Sequence, residues 1–85
     1  MTEHVDWVVV PGSGAHIRSG PDRLVISQYG RVTEYDLEHL SHLLLAGRHT
    51  IQTATIARLV RRGVQISFLD PDGETVGVVR GDGER

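Results

Sequence analysis

His39, His42 and His49, with Asp36 and Glu38 beside them, form the one stretch of this sequence where metal-ligating side chains gather. A His-x-x-His spacing on a helical turn would offer two imidazoles to zinc or nickel. Surface or half-buried histidines in a turn and a strand explain the same residues more simply. No metal site and no cofactor site is therefore assigned. The carboxylate pairs Asp36 with Glu38 and Asp70 with Asp72 would suit a Mg²⁺ site or general acid–base work. Aspartates at such spacings also hydrogen-bond their own backbone in turns, which is the simpler reading. Ser13-Gly14 and the surrounding glycines lack the strand-to-helix setting that a phosphate loop needs. With no motif joining nucleophile, base and orienting group, no catalytic residue is assigned.

The arginines are the other group able to do chemistry. Nine basic residues, all arginine, stand against eleven acids for a net charge of −2. Between His39 and Leu69 lie Arg48, Arg58, Arg61 and Arg62 and no acid, so this segment carries +4 while the flanks carry −6. These four arginines are the candidate nucleic-acid contacts, because exposed guanidinium groups meet phosphates with salt-dependent, sequence-independent affinity. Arg61 and Arg62 equally suit the last turn of a helix, where a cation gains roughly 0.3–1 kcal/mol from the helix dipole. The overall balance excludes a generally basic, histone-like binder.

The elements that must carry these residues are short. Val5 to Val10 reads as a strand stopped by Pro11-Gly12-Ser13-Gly14, and Ala15 to Arg18 as a second, ended by Ser19-Gly20-Pro21-Asp22. Arg23 to Ser27 and Arg31 to Tyr35 flank a three-residue hairpin loop, Gln28-Tyr29-Gly30. The opening third is thus four strands in meander spacing. Leu37, Leu40 and Leu44 have helical spacing from Asp36 to Gly47, yet Leu43-Leu44-Leu45 also suits a buried strand. Further on, Thr53 reads as an N-cap, Ile56, Leu59 and Val60 share one helix face, and Gly63 sits at the C′ position. Arg58, Arg61 and Arg62 lie off that apolar face. Val64, Ile66 and Phe68 alternate with polar residues, Asp70-Pro71-Asp72-Gly73 is a turn, and Glu74 to Val79 returns as a strand. Trp7 and Tyr29 read first as packing aromatics.

Eighty-five residues make one small domain, and a chain of this size buries only about 60–65% of its unfolded surface. Without cysteine, disulfides and thiolate metal sites cannot compensate for a thin core, which leaves good packing or a partner surface. Hydrophobic residues at 39% and charged residues at 24% fit a globular domain, and no apolar run spans a membrane. A cytoplasmic location is expected.

The stretch Asp36-Leu37-Glu38-His39-Leu40, then Leu43-Leu44-Leu45-Ala46-Gly47, resembles the N-terminal β-domain of the CRISPR-associated adaptation integrase, a metal-dependent endonuclease that inserts new spacers. A short strand at His49 to Gln52, the helix Thr53 to Arg62 and Gly63-Val64-Gln65-Ile66-Ser67-Phe68-Leu69-Asp70 continue the resemblance. With the hairpin Leu24 to Tyr35 it covers roughly residues 15–79. It implies that Asp36 to Leu40 is a helical turn and Leu43 to Ala46 a strand.

The expected fold is α+β and mostly β: a small sandwich or roll of seven to nine short strands with one packed helix over 53–62. Residues 1–79 are expected to form the β-domain, and 80–85 a linker or free tail. In the resembled family a glutamate, a histidine and an aspartate of a following helical domain hold the catalytic Mg²⁺ or Mn²⁺, and this chain stops where that domain would begin. The resemblance therefore implies a noncatalytic dimerisation and DNA-support domain. Its implied partners are a second copy, the helical catalytic domain, the small second CRISPR adaptation protein, and double-stranded DNA held weakly by this domain alone. The alternative from another class is a standalone β-domain that takes a protein or peptide by strand addition, with no nucleic-acid role.

Overall fold

The computed structural model describes residues 2, 3 and 5–81. Along them run β1 Thr2–Glu3, β2 Trp7–Val10, β3 Ser13–Ser19, β4 Arg23–Gln28, β5 Arg31–Asp36, β6 His42–Ala46, β7 Arg48–Ile51, α1 Thr53–Arg61, β8 Gln65–Leu69 and β9 Thr75–Val79. One sheet has the order β1-β5-β4-β3-β7 and the other β2-β6-β8-β9. The expected mostly-β sandwich with one helix is what forms. Ile17, Leu24, Leu43 and Ile66 are fully buried in the core, each contributing about 1.5–3 kcal/mol.

The meander expected at the start is only partly present. β3, β4 and β5 are consecutive antiparallel neighbours, but β2 leaves for the other sheet and pairs in parallel with β6, from Trp7↔His42 to Val10↔Leu45. β3 in turn pairs in parallel with β7, His16 opposite Thr50 and Ile17 opposite Ile51. The segments β2–β3 and β6–β7 thus run side by side and bend together from one sheet into the other. At that bend Gly47 has φ 101°, and a Cβ there would overlap the Gly12 carbonyl oxygen. Only glycine allows this backbone-on-backbone approach.

His49 fastens the same corner. The β3–β7 ladder shifts register between Ser13 and His16, and the Ala15 N–H donates to His49 Nδ1 at 3.1 Å. Because Nδ1 accepts, the proton sits on Nε2, which donates to the carbonyls of Ala46 at 2.8 Å and Val10 at 3.1 Å. One imidazole therefore joins both sheets.

The hairpin loop is shorter than expected. Gln28 pairs with Arg31, leaving Tyr29-Gly30 as a two-residue turn with φ of 54° and 76°. Two left-handed residues in succession match the twist of the flanking strands. Tyr29 tolerates this conformation while its hydroxyl accepts the Ser13 N–H at 3.3 Å.

The turn implied by the resemblance is present. His39 N–H donates to Asp36 and Leu40 N–H to Leu37, which drives Leu37 and Leu40 into the core. α1 begins one residue earlier than a Thr53 cap would give. Gln52 is the N-cap, in an extended conformation continuing from β7 and without a side-chain cap bond, so Thr53 is already helical. At the far end Arg62 is the C-cap; Gly63 N–H donates to Val60 and Val64 N–H to Leu59. This pair of bonds is a Schellman motif, with Leu59 and Val64 buried beneath it. Thr55, unremarked in the sequence, is buried alongside Leu59. α1 packs against β3 of one sheet and β8 of the other. Within the expected tail 80–85, Gly81 lies beside Val60 of α1, and residues 82–85 lie outside the described residues. No helix of the described residues is long and apolar enough to cross a membrane.

Candidate nucleic-acid interface

The four arginines singled out in the sequence fall on two elements. Arg48 opens β7, an edge strand of the five-stranded sheet, and is exposed. Arg58 and Arg61 lie in the last turn of α1, Arg58 half-buried and Arg61 exposed. Arg62, the C-cap, donates from Nη1 to the Pro21 carbonyl at 3.4 Å and so ties the helix end to the β3–β4 turn. Compensation of the helix dipole and phosphate contact are both open to Arg58 and Arg61.

The histidine group does not assemble. His42 stacks on Trp7, with ring centroids 4.1 Å apart, and its Nδ1 meets the Ser41 hydroxyl at 3.0 Å. His49 is committed to the corner described above. His39 remains near Asp36, with Nε2 3.8 Å from a carboxylate oxygen. Asp36, Glu38 and His39 have ligand atoms within 4.8 Å of one another, but Asp36 also accepts the Glu38 N–H at 2.9 Å, as a turn-forming aspartate does. Asp70 behaves likewise, accepting the N–H groups of Asp72 and Glu74, each at 2.9 Å. The simpler reading of both carboxylate pairs is the one the backbone follows.

Two polar residues escaped the sequence reading. His16 and Arg18 are consecutive outward positions of β3, between the buried Ala15 and Ile17. Register places Ser27 of β4 on one side of His16 and Thr50 of β7 on the other. The charge count confined attention to the acid-free block from His39 onward and so hid Arg18. Strand alternation was the available signal: residues 16 and 18 share a face with Arg48 and Thr50 once β3 and β7 are neighbours. Trp7 and Tyr29 also differ from expectation, at 56% and 76% exposed, because one lies on an outward face and the other at a turn.

The family model for CRISPR associated protein Cas1 matches residues 8–85. A protein of Methanospirillum hungatei JF-1 described as the CRISPR-associated endonuclease Cas1 2 is 50% identical over 68 residues, covering 80% of this chain and 22% of that protein. Among solved structures, a partial Cas6-RT-Cas1–Cas2 complex superposes with a TM-score of 0.80 at 22% identity, over 93% of this chain and 24% of the other. A TtCas1–DNA complex does so with 0.77 at 15% identity, over 98% of this chain and 31% of the other. At these identities the two structures speak for the fold. The chain spans less than a third of the length of each of these proteins. The β-sandwich described above belongs to the CRISPR-associated Cas1 family.

Proposed function

We propose that this chain serves as a noncatalytic dimerisation and DNA-support domain of a CRISPR-associated, metal-dependent DNA endonuclease/integrase that acquires new spacers in the cytoplasm. The observation that carries the reading is family membership across residues 8–85 of a β-sandwich that spans 22% of its Methanospirillum relative. The chemistry, with its Mg²⁺ or Mn²⁺, is assigned to a helical domain of the same family. Residues 1–79 act as the β-domain, and Arg48, Arg58, Arg61 and Arg62 meet duplex phosphates. A DNA complex and a Cas2 complex among the structural neighbours support DNA and the small second adaptation protein as partners. Self-association is supported by the outward face of the four-stranded sheet, where exposed Trp7, Val9 and Val78 surround half-buried Leu44, Ala46 and Leu69.

Light scattering on the purified chain, with nuclease assays in Mn²⁺ and Mg²⁺, tests the reading. The expected result is a dimer that cleaves DNA only when the helical domain is added. A strict monomer at high concentration that retains no duplex at low salt would transfer the chain to the strand-addition class. Cleavage by the chain alone would overturn the noncatalytic assignment.

A further inference from the structure

The outward face of the five-stranded sheet carries a shallow concavity of about 320 Å³, lined by His16, Ile17, Arg18, Ser27, Thr50 and Gln52. We infer that it seats backbone phosphate of nucleic acid, which makes β3 and β7, and not α1 alone, the DNA-facing surface. This rests on the DNA-support reading above and adds to it a place and a set of residues.

Three observations converge on a phosphate. First, the row Thr50–His16–Ser27 crosses three adjacent strands, setting an imidazole between two hydroxyls on neighbours about 4.8 Å apart. All three are donors suited to phosphate oxygens. Second, among the described residues no carboxylate lines the concavity. On this sheet Glu34 and Asp36 lie on β5, two strands from β3, and Glu34 is held by Arg23 at 2.8 Å. Third, Arg18 makes no ion pair or side-chain hydrogen bond with any described residue. An exposed guanidinium with no such partner among the described residues matches the phosphate geometry that favours arginine.

The concavity also continues into a strip. Arg48 precedes Thr50 by two residues on β7, and His16 precedes Arg18 by two on β3, so like-facing side chains repeat about every 6.7 Å along each strand. That repeat is close to the spacing of successive phosphates along one nucleic-acid strand. The amide of Gln52, which does not cap α1, borders the same concavity. A phosphodiester chain running parallel to β3 and β7 would meet Arg48, then the row around His16, then Arg18.

The test uses the whole chain with two probes, a short blunt duplex DNA and inorganic phosphate, followed through backbone amide resonances and binding isotherms at several salt concentrations. Both probes are expected to move His16, Arg18, Ser27, Thr50 and Gln52. Arg18→Ala should weaken duplex binding about tenfold at low salt and reduce the slope of log affinity against log salt by about 1, with an unchanged melting temperature. Arg18→Gln provides the same readout should the alanine variant fold poorly. Duplex binding that moves only α1 resonances and is untouched by either variant overturns the site while leaving the DNA-support reading in place. Phosphate alone moving the five amides, with no duplex retained, overturns the nucleic-acid assignment of the site together with the DNA-support reading. Silence from both probes overturns the site.

Discussion

On the five-stranded sheet the outward positions of β7, β3 and β4 include Arg48, Thr50, His16, Arg18, Arg23 and Ser27, while on the four-stranded sheet they include Trp7, Val9, Leu44, Ala46, Leu69 and Val78 beside His42, Gln65, Ser67 and Thr75. Both faces belong to one small sandwich with one core, and both are built from strands of alternating pattern. The first is finished for contact with water and ions. The second carries on its outside, beside its polar residues, a patch of the residue types that fill the core. A chain with no cysteine and a thin core gains stability from covering such a face, whereas polar strands can remain wet at little cost. The difference suits the two sheets to different neighbours, which in the proposed function are a protein surface over one and a charged polymer over the other.

The comparison breaks most severely at the corner where β2–β3 and β6–β7 cross from one sheet to the other. Gly47→Ala puts a methyl into the Gly12 carbonyl and strains a left-handed φ of 101°. We expect a loss of about 4 kcal/mol or failure to fold, read by denaturant unfolding. Gly30→Ala also carries positive φ, but its Cβ would meet nothing within 4 Å, so it serves as the control with a smaller loss of about 1 kcal/mol.

The apolar face gives the next largest effect. Trp7→Ser should weaken self-association by about 3 kcal/mol, roughly a hundredfold or more in the dimer constant, because a symmetric interface loses the tryptophan twice. Sedimentation equilibrium reads this directly. Monomer stability should change by less than about 1 kcal/mol, since Trp7 is more than half exposed and its indole stacks on His42 at the surface. An unchanged dimer constant would mean that the two faces differ for another reason.

His49→Ala lies at the seam between the faces. It leaves the Ala15 N–H without its acceptor and the Ala46 and Val10 carbonyls without the imidazole donor, in a part-buried site. A destabilisation of about 2 kcal/mol is expected, measured by thermal unfolding. His39→Ala, on an exposed turn, should cost less than about 0.5 kcal/mol by the same measurement.

How much of this was legible in the sequence follows from the range of the forces involved. The Schellman end at Gly63, the aspartate turns at Asp36 and Asp70, and the alternation of Val64, Ile66 and Phe68 are local, and their residues announce them. The migration of β2 to the second sheet was hidden, because Trp7 to Val10 reads the same whether its neighbour is β3 or β6. The role of His49 was hidden for the same reason: its three partners lie at residues 10, 15 and 46. The loop at Tyr29 misled because tyrosine rarely adopts a left-handed conformation, and its support comes from Gly12 and Ser13 far along the chain. The cradle around His16 shares this property. Thr50, His16 and Ser27 become neighbours only once the parallel β3–β7 pairing is known.

The smallest effect divides the polar face itself. Arg18 and Arg23 are both outward arginines of the same sheet, on adjacent strands, but Arg23 donates to Glu34 at 2.8 Å while Arg18 has no such carboxylate among the described residues. Arg23→Ala removes an ion pair whose side chains are 53% and 36% exposed, so stability should change by less than about 0.5 kcal/mol. Its effect on duplex binding should be near zero as well. The lost positive charge was already balanced by Glu34, and the released carboxylate stands on β5, away from the β3–β7 strip. A salt titration of duplex binding that gives Arg23→Ala the wild-type slope, beside a slope reduced by about 1 for Arg18→Ala, would locate the phosphate track on one half of the sheet. Equal slopes for the two variants would show instead that the face attracts DNA only through its summed charge.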